Sequence, residues 1–223
     1  MLYALDRDTF VETLLSGLTG RADFFLHPDE PAYRLAEQRG LNRFLFDPTR
    51  AERLLAEAGW TRGPDRMFRN SAGQPIHIDV TSSAQGANVQ EAQTVASNWS
   101  TAGFQSAPTP YPAGADNATE IRHKSPGALI WPYNFSQTVI KTFTTPEIGT
   151  DTNRWRGGNY GGYVNPTYER LYDELVNTFE ANARAETTFQ LLRILNEQLP
   201  ALPIFFTPLA VIARKGVEGP GMT

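Results

Sequence analysis

The sequence predicts an α/β fold, and three observations carry that prediction. The segment "QPIHIDV" alternates, with Ile76, Ile78 and Val80 on one face and His77 and Asp79 on the other, the pattern of a half-buried strand. Residues 88–102 then repeat apolar side chains at helical spacing, and residues 104–109 follow as the next expected strand. The order strand, helix, strand implies a parallel crossover, which is nearly always right-handed. Paired helix-start and helix-stop signals recur along the rest of the chain.

In chain order, Asp6 caps a first helix whose apolar stripe is Phe10, Leu14, Leu15 and Leu18, with Gly17 and Gly20 at its end. Pro28 and Pro31 break the following segment into a loop. In "FDPTRAERLLAEAGW", Asp47 is the N-cap and Pro48 takes the first helical position, where its missing N–H costs nothing. Ala51, Leu54, Leu55 and Ala58 form the expected buried stripe, Gly59 the left-handed end, and Trp60 packs back on the last turn. The 88–102 helix turns Val89, Ala92, Ala96 and Trp99 inward and stops at Gly103. "GALIW", residues 127–131, reads as a short buried strand halted by Pro132.

Asn165 and Pro166 open another helix, with Tyr168, Leu171, Tyr172, Leu175, Val176 and Phe179 on one stripe. The next helix covers residues 183–198 and buries Phe189, Leu192, Leu195 and Leu199. The final run, "LPIFFTPLAVIARKG", is rich in β-formers but interrupted by Pro203 and Pro208, which suits an edge strand or a connector. The pattern amounts to about five helices and four or five strands, alternating in part, which is an α/β lobe.

Composition narrows the function. A formal charge of −4 without a basic stripe argues against nucleic acid as a partner. The absence of cysteine removes disulfides, thiolate metal sites and cysteine catalysis. The three histidines, His27, His77 and His123, show no metal-ligand spacing, and no G-x-S-x-G elbow occurs. Asp116 and Glu120, one helical turn apart, read as a solvated face rather than an acid–base pair. "GGNYGG" shares only glycine content with a phosphate loop, since no Gly-Lys-Ser/Thr follows. No catalytic residue, metal site or cofactor site is therefore expected.

The candidate ligand-binding residues lie in three places. Trp131, Tyr133, Asn134 and Phe135 leave a predicted strand at its C-terminal end, where α/β sheets place ligands. Ser83 and Gln85 sit in "TSSAQG", the loop expected after the earlier strand. Arg154, Trp155, Arg156, Asn159 and Tyr160 combine flat apolar faces and hydrogen-bond donors in "NRWRGGNYGGYV", whose glycines permit close approach of the backbone. Arg154 and Arg156 are candidate anchors for an anionic group.

The segments "YALDRDTFVETLLSGL", "FDPTRAERLLAEAGW", "GGYVNPTYERLYDELV" and "LPALPIFFTPLAVIARKGVEG" occur in an order that resembles the family 5 extracellular solute-binding proteins, the dipeptide, oligopeptide and nickel receptors of ABC importers. The resemblance implies one lobe of a two-lobe, periplasmic-binding-protein-like receptor with a mixed sheet flanked by helices. It implies that residues 1–200 are the second, C-terminal ligand-binding lobe and that residues 201–223 cross back toward a first lobe, so that the sequence is a C-terminal fragment. It further implies a monomer, periplasmic or extracellular, that takes a peptide, sugar or other small solute and associates with the membrane through permease subunits. Two departures bear on the ligand. Pro132 stands where peptide receptors of the family carry an amine-binding aspartate, and "TSSAQG" lacks the arginine that dipeptide receptors use for the carboxylate. The alternatives from other classes are a cytosolic hydrolase or transferase domain and a chaperone-like peptide-binding domain.

Overall fold

The computed structural model describes residues 1–133 and 138–208. The predicted positions Asn134 and Phe135, and the end of the C-terminal run, lie outside the described residues. The chain begins with a 3-10 turn, Leu2–Ala4, and α1, Arg7–Leu15, then α2, Pro31–Gln38, and α3, Pro48–Glu57. A two-stranded antiparallel ribbon, β1 (Thr61–Arg62) and β2 (Phe68–Arg69), leads to β3, Val80–Ser83. Then come α4 (Asn88–Ala102), β4 (Pro108–Tyr111), α5 (Ala118–His123), β5 (Ala128–Leu129) and α6 (Thr138–Thr142). Two long helices, α7 (Pro166–Asn177) and α8 (Ala181–Gln198), are the last elements among the described residues.

Three of the predicted caps form. The Asp6 carboxylate accepts from the Thr9 N–H at 3.0 Å, Asp47 from Arg50 at 2.9 Å, and Asn165 from Tyr168 at 3.0 Å. Each satisfies an N–H that has no partner within its helix. The three-stranded sheet has the order β4-β3-β5 and is parallel throughout; antiparallel pairing is seen in the separate ribbon and in isolated bridges such as Arg21–Phe205. The expected crossover is present, with α4 joining β3 to β4. Pro108 and Pro110 are tolerated because β4 is an edge.

Several expectations need correcting. Pro31 does not break the chain into a loop but opens α2 as its first helical residue, a position where proline is favoured. On α3 only Ala51 is buried; Leu54 and Ala58 are exposed, because the helix packs chiefly on the single turn Leu2–Ala4. Leu18 and Phe179 fall beyond their helix ends and are exposed, as is Val176. The strand predicted at residues 127–131 is only Ala128–Leu129 and half-buried. The strand expected at 104–109 forms later, at Pro108–Tyr111, while Phe104 is buried ahead of it. Thr81–Ser83 belong to β3 itself, so the loop there is shorter than predicted.

Two apolar clusters form the interior. One joins α2, α6, α7 and α8 to the segment Phe24–Leu26, with Tyr168, Leu191, Leu192 and Leu195 at its centre. The other joins the first turn, α1, α3 and α4 to the sheet, around Phe10, Val80, Trp99 and Phe104. Arg7 is the polar fastening beside them and is 2% exposed. Its Nη1 donates to the carbonyls of Ala22 and Pro203, and its Nη2 to those of Arg43 and Phe44. Asp23, itself buried, lies 3.8 Å from Arg7 and also pairs with Arg21 at 2.7 Å. The C-terminal segment is held at the same place: Ala22 N–H donates to Ile204 and Phe206 N–H to Gly20.

Replacing Arg7 leaves four carbonyls without their donor and removes one of the three cations around Asp23. The Arg7→Met substitution is expected to lower stability to urea unfolding by ~3–5 kcal/mol, the usual effect of removing one partner from a buried charged network. A loss below ~1 kcal/mol would show that the guanidinium is replaceable by water.

Candidate functional site

The chain order of the sheet creates the site. From the central β3 the chain passes through α4 to β4 on one side, then through α5 to β5 on the other. At such a switch point the loops leaving the carboxyl ends diverge and open a crevice. A cavity of about 860 Å³ lies there, large enough for a small organic solute. Its floor is β5 and its exit, Ala128 to Tyr133; one wall is the α4 face of Asn88, Glu91, Val95 and Trp99. Arg122, His123 and Tyr160 form another wall, and the segment from Leu199 to Phe205 covers the rest.

The aromatic wall is built by convergence. Trp131 and Tyr160 meet edge to face with centroids 5.4 Å apart, and the His123 ring lies 4.7 Å from Tyr160. The Arg122 guanidinium lies over Trp131 at 4.2 Å and 5.8 Å from Tyr160. Tyr133 donates to the Gly158 carbonyl at 3.2 Å, and burial pushes its hydroxyl well above the usual tyrosine range. Burial also raises Tyr160, against the opposing effect of Arg122, and raises the Glu91 carboxyl.

Two asparagines shape the glycine-rich loop. The Asn153 amide accepts from Thr150 N–H at 2.8 Å and donates to the Ile148 carbonyl at 2.8 Å. The buried Asn159 amide donates to Thr144 and Tyr163 carbonyls and accepts from Tyr163 N–H at 2.9 Å. Two glycines are required by contact. Gly157 has φ +118°, and a Cβ there would collide with the Glu147 carbonyl; a Cβ at Gly149 would enter the His123 ring. Of this loop's aromatics Tyr160 lines the cavity and Tyr163 packs on the first apolar cluster, while the glycines let the backbone close against α5 and the loop's own start.

Of the predicted positions, Trp131, Tyr133, Asn159 and Tyr160 line the cavity. The polar atoms of Asn159 are already engaged within the loop. Trp155 borders the site, 6.2 Å from the His123 ring, with Lys124 Nζ 4.6 Å above its face. Ser83, Gln85, Arg154 and Arg156 are not among the lining residues, and the two arginines are exposed. Sequence reasoning did not include Glu91, Arg122 or His123 in the site. For Glu91 a signal existed: it lies four and eight residues before Val95 and Trp99, an acidic residue on an inward face. Nothing local marks Arg122 and His123, because only the fold carries the end of α5 to Trp131.

A parallel α/β lobe with an aromatic-walled cavity beyond its strand ends has the architecture of a small-molecule receptor. Comparison with known proteins agrees. The description "Bacterial extracellular solute-binding proteins, family 5 Middle" matches residues 1–163, and the chain belongs to that family of solute-binding proteins, which are not enzymes. It is 23% identical to heme-binding protein A of Haemophilus influenzae over 98% of this chain and 38% of that protein. It is 32% identical to the nickel-binding periplasmic protein of Escherichia coli over 79 residues, 35% of this chain and 14% of that protein. Among solved structures, an oligopeptide-binding protein from Thermus thermophilus complexed with a pentapeptide matches with TM-score 0.74 and 26% identity, over 92% of this chain and 36% of that one. A mannohexaose-bound oligopeptide-transporter protein from Thermotoga maritima shares the fold with TM-score 0.76 at 21% identity, over 93% of this chain and 40% of that one. The chain thus spans about two fifths of the length of the relatives that it matches end to end.

The site carries a pH dependence. Burial lowers the His123 pKa, the Gly157 carbonyl partly opposes this, and Arg122 adds repulsion. A base whose folded pKa is depressed is fully compatible with the fold above its unfolded pKa, near 6.5, and opposes folding as pH falls from there through the lower folded value. The thermal midpoint is therefore expected to fall more steeply between neutral and mildly acidic pH in the native chain than in a His123→Gln variant. Parallel pH profiles would show that His123 contributes nothing.

Proposed function

We propose that the chain is the solute-capturing lobe of an ABC importer's binding component. In this reading residues 1–200 are the second, C-terminal ligand-binding lobe and residues 201–223 cross back toward a first lobe. Solute shifts an open–closed equilibrium by making its full set of contacts only in the closed state, and the closed form delivers it to the membrane permease. The protein acts as a monomer in the periplasm or outside the cell, docking at the membrane through the transporter. The single observation that carries this reading is the aromatic-walled cavity at the switch point of a family 5 chain.

Pro132 bears on the class of solute. It lines the cavity at the exit of β5 and has no side-chain acceptor, so a peptide α-ammonium placed there would have no carboxylate beside it; the one carboxylate among the described lining residues is Glu91, on the α4 wall. Trp131 and Tyr133 instead offer ring faces. Sugars, glycosides, aromatic compounds and blocked peptides suit such a surface better than free dipeptides. The relatives named for peptide, heme, nickel and an oligosaccharide complex span a correspondingly wide range of cargo.

Two measurements test this. In a thermal-shift panel of free dipeptides, N-acetylated dipeptides, oligosaccharides and aromatic acids, free dipeptides are expected to leave the midpoint unchanged at millimolar concentration. Deleting the coding sequence while leaving the permease and ATPase genes intact should abolish uptake of whichever solute does stabilise the protein. Undiminished uptake would overturn the transport role, and stabilisation by free but not N-acetylated dipeptides would overturn the reading of Pro132.

A further inference from the structure

We propose that Arg122 recognises a single carboxylate on the solute, so that the cavity selects mono-anionic organic solutes over neutral ones of the same shape. This rests on the cavity being the solute site. Arg122 lies in the last turn of α5, and its planar guanidinium lies over the Trp131 ring at 4.2 Å. Stacking fixes the plane of the group and leaves its edge available for a planar, two-oxygen acceptor.

The edge is under-used. Arg122 Nη2 makes one hydrogen bond, to Thr119 Oγ1 at 3.2 Å, and Nη1 makes none among the described residues. Nε is buried out of a solute's reach, so the Nη1–Nη2 side is the edge that a ligand carboxylate would meet. Other arginines of the chain are engaged differently. Arg7 serves four carbonyls, Arg21 and Arg43 share Asp23, and Arg39 grips Glu186. Among the described residues no carboxylate forms an ion pair with Arg122, although it lies within a cavity wall.

The charge of the lining sets the valence. Among the described lining residues, Arg122 is the one arginine or lysine and Glu91 the one carboxylate. A phosphate ester or dicarboxylate would bring a second negative charge into a cavity that holds no second lysine or arginine for it and already contains Glu91. Burial raises the Glu91 carboxyl toward its neutral form, so one carboxylate at Arg122 adds the smaller excess of negative charge and a dianion the larger. Arg154 and Arg156, the anchors that the sequence suggested, are exposed and outside this lining.

The test uses 4-fluorophenylacetate and 4-fluorophenylacetamide, which differ in charge but little in shape, with binding read by fluorine NMR near neutral pH. The acid is expected to bind the native chain at least ~10-fold more tightly than the amide, the scale of a charge-assisted hydrogen bond. Arg122→Gln should erase the preference of acid over amide, and Arg122→Lys should retain part of it; circular dichroism checks that both variants fold. Equal binding of acid and amide to the native chain, or an undiminished preference in folded Arg122→Gln, overturns the inference. Binding of neither probe overturns it as well. Trp131→Ala separates the underlying reading: if the acid still binds that variant as tightly as the native chain, the cavity is not the site, whatever Arg122 prefers.

Discussion

The buried guanidinium of Arg7 is the constraint on which the arrangement rests. It lies at the start of α1, yet its acceptors come from the segments around Ala22, Arg43 and Pro203. Apolar contacts alone would hold each cluster together but would specify poorly how these backbone segments meet. Hydrogen bonds to fixed carbonyls are directional, and a buried charge penalises any arrangement that leaves it unpaired. The bridge between Arg21 and Phe205 lies on the same seam. The consequence reaches the site, because the segment anchored there, from Leu199 to Phe205, covers one side of the cavity. Residues of both clusters, Phe25 from one and Trp99 from the other, meet at that cavity.

The cavity owes its chemistry to a second feature, the divergence of chain from the central strand. The loops after β3 and β5 leave neighbouring parallel strands, and α5, which leads into β5, carries Arg122 and His123 at its end. The loop that starts near Thr145 closes the remaining side. It can do so only because Gly149 admits the His123 ring and Gly157 admits the Glu147 carbonyl, while Asn153 and Asn159 supply hydrogen bonds that regular structure would otherwise provide. Packing and polar satisfaction thus set the positions of Trp131, Tyr160 and Arg122 without using up their exposed faces.

What was legible in the sequence was local. Asp6, Asp47 and Asn165 announce their helices because a cap is a hydrogen bond across three residues, and α4 is visible because its apolar spacing is internal to it. Burial was less legible, since it depends on what arrives from elsewhere. Leu54 and Ala58 repeat correctly on α3 and still face solvent. At the site, Trp131, Tyr133 and Tyr160 could be picked out because large rings amid prolines and glycines are poor core material. Arg154 and Arg156 were chosen for the same proximity in sequence, but consecutive left-handed residues, Arg154 and Trp155, turn the chain there and leave both arginines exposed. Arg122 carries no mark until the fold sets it over a ring nine residues later in the chain.

The central claim is that solute binds against the aromatic wall at the strand ends. The most direct measurement is the nitrogen–proton spectrum of the four tryptophan indoles during titration with a solute that stabilises the chain. Trp99 and Trp131 line the cavity, Trp155 borders it, and Trp60 packs at the far end of α3. The account predicts saturable shifts of the Trp131 and Trp99 signals with Trp60 unmoved. A solute that binds while Trp131 and Trp99 stay fixed, or that moves Trp60 instead, would contradict it.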